Sequence, residues 1–201
     1  QIQDLGLVPV AVDVDSFALG NSFELRNGIG VRSEDPDKAV ALVDVGASKT
    51  NIHILRGNVS SFSREIYLGG SDLTEAISRR EHLDEAEAEE LKCEPLGNEE
   101  MVATAVQPVL DEIAGEIQLS FDYFENQFDH RVEEIFISGG ASRTIGLQET
   151  FERFFDREVK TWDPLESIKV REDLVDVDVL NDHLLQLPIA IGLGSRLQDC
   201  V

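Results

Sequence analysis

Cysteine is almost missing from this 201-residue chain, and the two present, Cys93 and Cys200, stand far apart without a CxxC pair or any metal-ligand spacing. That favours reduced cytosolic thiols over a disulfide or metal framework. Histidine is equally sparse: His53, His82, His130 and His183 are scattered without HxxxH or HExxH spacing, so strand or surface positions explain them. GxSxG, Walker A and paired metal-ligand clusters are all lacking. Positive charge is scarce as well, with 17 Lys and Arg against 40 Asp and Glu and a formal net charge of −23. Long-range repulsion therefore argues against nucleic acid or an anionic membrane surface as the main partner. No stretch reaches the ~18 apolar residues needed to span a bilayer, so direct membrane insertion is not expected, and no signal peptide is visible.

What remains is a globular composition, 42% apolar, long enough to bury a sizeable core. The acid gathers in EHLDEAEAEE (81–90) and REDLVDVD (171–178), which read as solvated faces. LVPVAVDVD (7–15) reads as a strand and SFALGNSFEL after it as a helix, with Asp15 or Ser16 as cap. The chain opens at Gln1 on a partial strand, which reads as an excised fragment. RNGIGVRSEDPDKA (26–39) has no periodicity and is expected to be a linker or hinge.

Three strands are expected over 39–45, 50–55 and 59–68, forming an antiparallel meander; the alternation in the second is that of a half-buried strand. A helix should follow Gly69 and Gly70 with Ser71 or Asp72 as cap, and a second should cover 84–93 and stop before Pro95. From Glu99 to Gln127 apolar residues recur every three or four positions, the pattern of a long amphipathic helix bent at Pro108. A buried strand over 133–138, a helix over 145–155, a short strand over 158–162, an acidic loop and an apolar helix over 183–197 complete a mixed α/β order.

Two glycine turns close apolar strands: DVGAS at 44–48 and SGGAS at 138–142. In an α/β sheet, ligands collect beyond strand ends, where loops present free N–H groups. At 44–48 the small residues Gly46, Ala47 and Ser48 leave a run of unblocked backbone donors that could receive an anion.

VDVGASKTNIHIL resembles the phosphate-2 hairpin of the actin, sugar-kinase and DnaK-type ATPase superfamily, IFISGGAS resembles its adenosine motif, and AEELK (88–92) its Glu-x-x-Lys helix segment. LGLVPVAVDVDSFALGNSFEL, REIYLGGSDLTEAI, FDYFENQ, VKTWDPLESI and LPIAIGLGSRL are together similar to the PilM family of FtsA-like proteins of type IV pilus assembly. The resemblance covers nearly the whole chain and implies an α/β, actin-like ATPase (ribonuclease H-like) fold. It implies that residues 1–32 are a remnant of the first lobe and 33–201 the second nucleotide-binding lobe.

The cofactors it implies are ATP and Mg²⁺. Gly46, Ala47 and Ser48 would offer N–H groups to the phosphates. Thr50 would support the hairpin or reach a phosphate. Asp44 would act as the catalytic and metal-orienting carboxylate, and Asp15 is a further catalytic candidate that a helix cap explains equally well. Glu89 and Lys92 would bracket the ribose, unless they are an exposed ion pair. Gly139, Gly140 and Ala141 would let the purine approach the backbone. Arg143 could stack on the base or face solvent.

Two departures stand out. Lys49 occupies a position where many relatives have Thr, and either helps to neutralise phosphate or points into water. Asn51 replaces an Asp frequent in FtsA-like proteins, which puts hydrolysis in doubt more than binding.

The function implied is an ATP-binding cytoplasmic scaffold, peripheral at the inner face of the inner membrane. Its expected partners are the cytoplasmic tail of a PilN-like protein and other pilus assembly proteins, and homo-oligomerisation stays open. A weak ATPase activity would be compatible with this, though a fragment alone is expected to be inactive. The alternatives are a small-molecule kinase of the same superfold and a scaffold with a vestigial nucleotide site.

Overall fold

The structure is a computed structural model, and it describes residues 3–6, 8, 12–26 and 35–196. Among the described residues five strands form one sheet in the order β3-β2-β1-β4-β5. They are β1 (Ala39–Val45), β2 (Thr50–Arg56), β3 (Val59–Ile66), β4 (Val132–Ser138) and β5 (Val159–Thr161). The first three make the expected antiparallel meander. β4 then returns parallel to β1, and β5 parallel to β4. The crossover from β3 to β4 runs through α2 (Gly70–Glu81), α3 (Glu85–Cys93) and α4 (Glu99–Phe128).

β1 is buried along its whole length because both of its faces are covered. Ala39, Ala41, Val43 and Val45 enter the larger core, with Leu73 and Ile77 of α2 and Leu110, Ile113, Ile117, Phe121 and Phe124 of α4. Leu147 and Phe151 of α5 (Leu147–Phe155) extend that layer. Val40 and Leu42 point the other way, toward Leu19 and Phe23 of α1 (Asp15–Leu25), Phe136 and Trp162. Each large side chain fully withdrawn from water contributes roughly 2 kcal/mol, which gives the three-layer arrangement its stability.

On that second face α1 packs against α7 (Pro188–Ser195), where a Cβ added to Gly192 would fall 1.7 Å from the Ala18 carbonyl oxygen. Only a residue without a side chain permits that approach.

The differences from expectation have local causes. The strand expected over 7–15 lies in part outside the described residues. Residues 12–14 carry no strand, and Asp15 is already the first residue of α1 rather than its cap. Most of the expected linker, 27–34, and the expected lobe boundary also lie outside the described residues.

β2 is not half-buried: Thr50 to Leu55 are buried on both faces because α1 covers the side that carries Asn51 and His53. The cap of α2 is Gly69, whose N–H is accepted by Asp72 Oδ2 at 2.8 Å, so Asp72 serves from inside the helix. The expected long helix, α4, contains Pro108, and the Thr104 carbonyl that Pro108 cannot serve accepts from Arg80 at 3.2 Å. Inside the acidic loop lies a short helix, α6 (Val177–Asp182), capped by Asp176. The last apolar helix begins at Pro188, a residue suited to the first turn because its missing N–H costs no bond there.

Candidate functional site

β1 and β4 are parallel neighbours, so their C-terminal ends, and the glycine turns that follow, lie side by side. Asp44 and Ser138 are register partners, and Ser138 Oγ donates to Asp44 Oδ1 at 2.9 Å. Gly139 passes so close to β1 that an added Cβ would stand 2.3 Å from Val45 O, and its φ is 90°. Glycine at 139 is thus dictated by strand contact and backbone conformation.

The GG pair at 69–70 comes to the same place. Gly70 N–H donates to Gly46 O at 2.8 Å and Ser71 N–H to Ala47 O at 2.7 Å. A Cβ on Gly70 would lie 3.2 Å from the Ala141 methyl, 3.5 Å from Gly46 O and 3.5 Å from Lys92 Nζ. Residues 46–48, 69–70, 92 and 139–141 therefore form one cluster beyond the C-terminal ends of β1 and β4.

Within the cluster the donors divide into spent and free. Gly46 N–H is bonded to Lys49 O at 2.9 Å and Gly139 N–H to Leu185 O at 2.7 Å. The N–H groups of Ala47 and Ser48 lie in an exposed turn and meet no acceptor among the described residues. Gly140 is exposed and begins a short 3-10 turn ending at Arg143, a position where N–H groups lack an intrahelical acceptor.

Thr50 is fully buried and donates through Oγ1 to Leu68 O at 2.9 Å, so it supports the hairpin and does not reach toward a phosphate. Lys92 is not on the surface. Its ammonium donates to Gly70 O at 2.9 Å, Thr74 Oγ1 at 2.7 Å and Glu89 Oε2 at 2.6 Å, which fastens α3 to the first turn of α2. Glu89 is exposed on the same side. Burial alone would push its carboxyl up, but hydrogen bonds from Lys92 and Thr74 outweigh this and hold it below the usual range. Arg143 is exposed, and its guanidinium donates to Asp182 O.

Asp44 is 7% exposed, and burial pushes its carboxyl above the ordinary aspartate range, opposed by hydrogen bonds from Ser138 and Asn51. A single buried acid beside free N–H groups is the donor set suited to a hydrated Mg²⁺ carried on phosphate, which needs few protein ligands. Among the described residues no group of three His, Cys, Asp or Glu could hold a metal on its own.

Asp15 lies near enough to Asp44 to disfavour its ionisation. It is tied to the turn by Lys49, whose Nζ is 2.8 Å from Asp15 Oδ2 and 2.8 Å from Glu65 Oε1. These two carboxylates push the Lys49 ammonium well above the usual lysine range. Lys49 is thus held between two carboxylates beside the turn, with its side chain 31% exposed. Its partners come from elements 34 and 16 residues away, and no local pattern announces them.

The fold is an actin-like one, as in an archaeal actin homolog. Solved structures sharing it include the ethanolamine utilization protein EutJ from Carboxydothermus hydrogenoformans (18% identity over 95% of this chain and 56% of that one, TM-score 0.68). MreB5 of Spiroplasma citri bound to AMPPNP is similar in fold at 13% identity (99% and 64% covered, TM-score 0.67). Residues 1–198 match the family described as type IV pilus assembly protein PilM, and the chain belongs to that family. A structure of the PilM-PilN type IV pilus biogenesis complex is 30% identical, with a TM-score of 0.84, over 97% of this chain and 55% of that one. The chain thus spans little more than half the length of that relative.

Proposed function

We propose that this chain binds Mg-ATP through its two glycine turns and acts as a nucleotide-responsive scaffold of type IV pilus assembly, docking the cytoplasmic tail of a PilN-like partner at the inner face of the inner membrane. The observation that carries the reading is the convergence of residues 46–48 with 139–141, joined through the Ser138–Asp44 hydrogen bond. On this reading Ala47 and Ser48 donate to the phosphates, and Asp44 accepts from the waters of the metal. Gly140 faces the nucleoside, with Glu89 available to the ribose, while Ala141 is buried in the core beneath. Lys92, Gly139 and Thr50 hold the frame. Residues 33–201 are the second nucleotide-binding lobe, and 1–32 belong to the first.

Nucleotide then acts as a conformational ligand, favouring whichever arrangement of lobes binds it more tightly. The partner assignment draws on the relative that is named for its complex with PilN and on membership of the family.

A second reading, a scaffold whose nucleotide site is vestigial, is favoured by a specific observation: the N–H groups of Gly46 and Gly139, the Thr50 hydroxyl and the Lys92 ammonium are all engaged internally. Thermal unfolding with Mg-ATP separates the two. A binder gains about 2.7 kcal/mol of stability at a hundredfold excess over Kd, and its melting temperature climbs with ligand concentration. A melting temperature indifferent to Mg-ATP and Mg-ADP at millimolar levels sinks the first reading in favour of the second.

A further inference from the structure

Lys49 is the residue immediately beyond the turn whose Ala47 and Ser48 amides are free, and its ammonium sits between two carboxylates from different elements, Asp15 of α1 and Glu65 of β3. The cage is not buried. Side-chain exposures are 31% for Lys49, 43% for Asp15 and 41% for Glu65, so neither ion pair is locked by desolvation. Pairs of this kind hold weakly and exchange readily for a stronger acceptor. The ammonium is also close enough to Asp44 to influence its ionisation. It stands at the rim of the cluster that a polyphosphate would enter, with a flexible four-carbon stem.

We infer that Lys49 is an exchangeable phosphate ligand: Asp15 and Glu65 hold its ammonium in the free protein, and the terminal phosphate of a nucleotide takes it over. This rests on the nucleotide-binding reading above and adds a cationic contact to it. A polyphosphate carries more charge than either carboxylate and accepts charge-assisted hydrogen bonds at several oxygens, so the exchange runs toward the ligand. The exchange releases Asp15, and the tie between the turn and the first residue of α1 opens only when the site is filled. Glu65 is in this scheme a competitor of the nucleotide, although it bears no contact to it.

That competition gives the test a sign. Dissociation constants for Mg-ATP, Mg-ADP and inorganic triphosphate are measured by competition against a fluorescent ATP analogue on the wild-type chain, Lys49→Met and Glu65→Gln, with a melting curve for each protein. A ligand role for Lys49 predicts that Lys49→Met weakens Mg-ATP by roughly tenfold, whereas Glu65→Gln tightens it by about two- to fivefold. Triphosphate should follow ATP, because the contact lies at the phosphates. A merely structural Lys49 moves both variants in the same direction, since each loses the same ion pair. Equal or parallel effects therefore overturn the inference while leaving nucleotide binding standing. Failure of the wild-type chain to bind any of the three ligands overturns both together. Glu65 is partly exposed on an edge strand, so Glu65→Gln keeps the test usable if Lys49→Met is poorly folded.

Discussion

His53 offers the sharpest thermodynamic test of the fold. It is 1% exposed on the face of β2 beneath α1, its Nδ1 has no hydrogen-bond partner among the described residues, and Phe17 of α1 meets its ring edge-on at 6.1 Å between centroids. Gly20 of α1 also lies against the ring, with a built Cβ only 3.0 Å from Nε2. An imidazolium there would lose its water, so burial pushes the pKa from 6.5 down to about 4.

The sign follows from proton linkage. Above the ordinary histidine range both folded and unfolded chains carry neutral His53, and stability is whole. As pH falls from there to about 4, the unfolded chain takes up the proton while the folded chain refuses it, and stability drains away by about 3 kcal/mol. Asp44 works in the opposite sense, since its raised carboxyl takes up a proton earlier in the folded state. The wild-type profile is therefore a sum, and the contribution of His53 is isolated by difference. Urea unfolding monitored by circular dichroism, at pH values between about 7 and 4, should show the midpoint of the wild type falling faster than that of His53→Leu. Parallel profiles would refute the reasoning, as would a His53 resonance titrating at its ordinary value.

Other expectations can be checked in the same way. Gly139→Ala places a methyl against Val45 O at a φ of 90°, and should cost more than about 3 kcal/mol of unfolding free energy, read from denaturant midpoints. Lys92→Met leaves Gly70 O short of one donor and unties α3 from α2, with an expected loss of about 2 kcal/mol. The same variant should lose the acid sensitivity that Glu89 confers: the depressed carboxyl stabilises the fold above the ordinary glutamate range and ceases to do so as pH falls through its folded value. Asp44→Asn removes a carboxylate that is costly to bury, so its melting temperature without ligand should hold or rise, while the Mg²⁺-dependent part of any ATP-induced shift should vanish. A nucleotide response equally dependent on Mg²⁺ in wild type and variant would remove Asp44 from the metal's surroundings.

Strand and helix order was legible because apolar periodicity follows burial, and here burial follows the sheet. The run AVALVDV is continuous since β1 is covered twice, and the stripe from Val102 to Phe124 is the inner face of α4. β2 misled because polar residues alternate with apolar ones in the same way whether a strand faces water or a neighbouring helix; Asn51 and His53 are buried polar groups that read as solvent-facing. α6 was hidden by LVDVDV, whose period of two argues for no helix, and whose short helical turn depends on the Asp176 cap.

At the site, the two turns and the carboxylate at 44 could be read as motifs. The assignment of donors could not. That Gly46 and Gly139 spend their amides, that Thr50 turns to Leu68, and that Lys49 reaches Asp15 and Glu65 are facts of tertiary contact between residues distant in the chain. Gly69 and Gly70 were visible as a helix start, yet their role as the seat on which the 46–47 carbonyls rest depends on a contact 23 residues away, as with Gly69 and Gly46, where a Cβ would leave only 2.5 Å.

That seat has a kinetic meaning. With both carbonyls of the 46–47 segment anchored on the start of α2, the Ala47 and Ser48 amides are aimed before any anion arrives, so capture needs no folding of the loop around its guest. Association at this end of a nucleotide should proceed in one fast phase limited by encounter, and any slow step should report movement elsewhere in the protein.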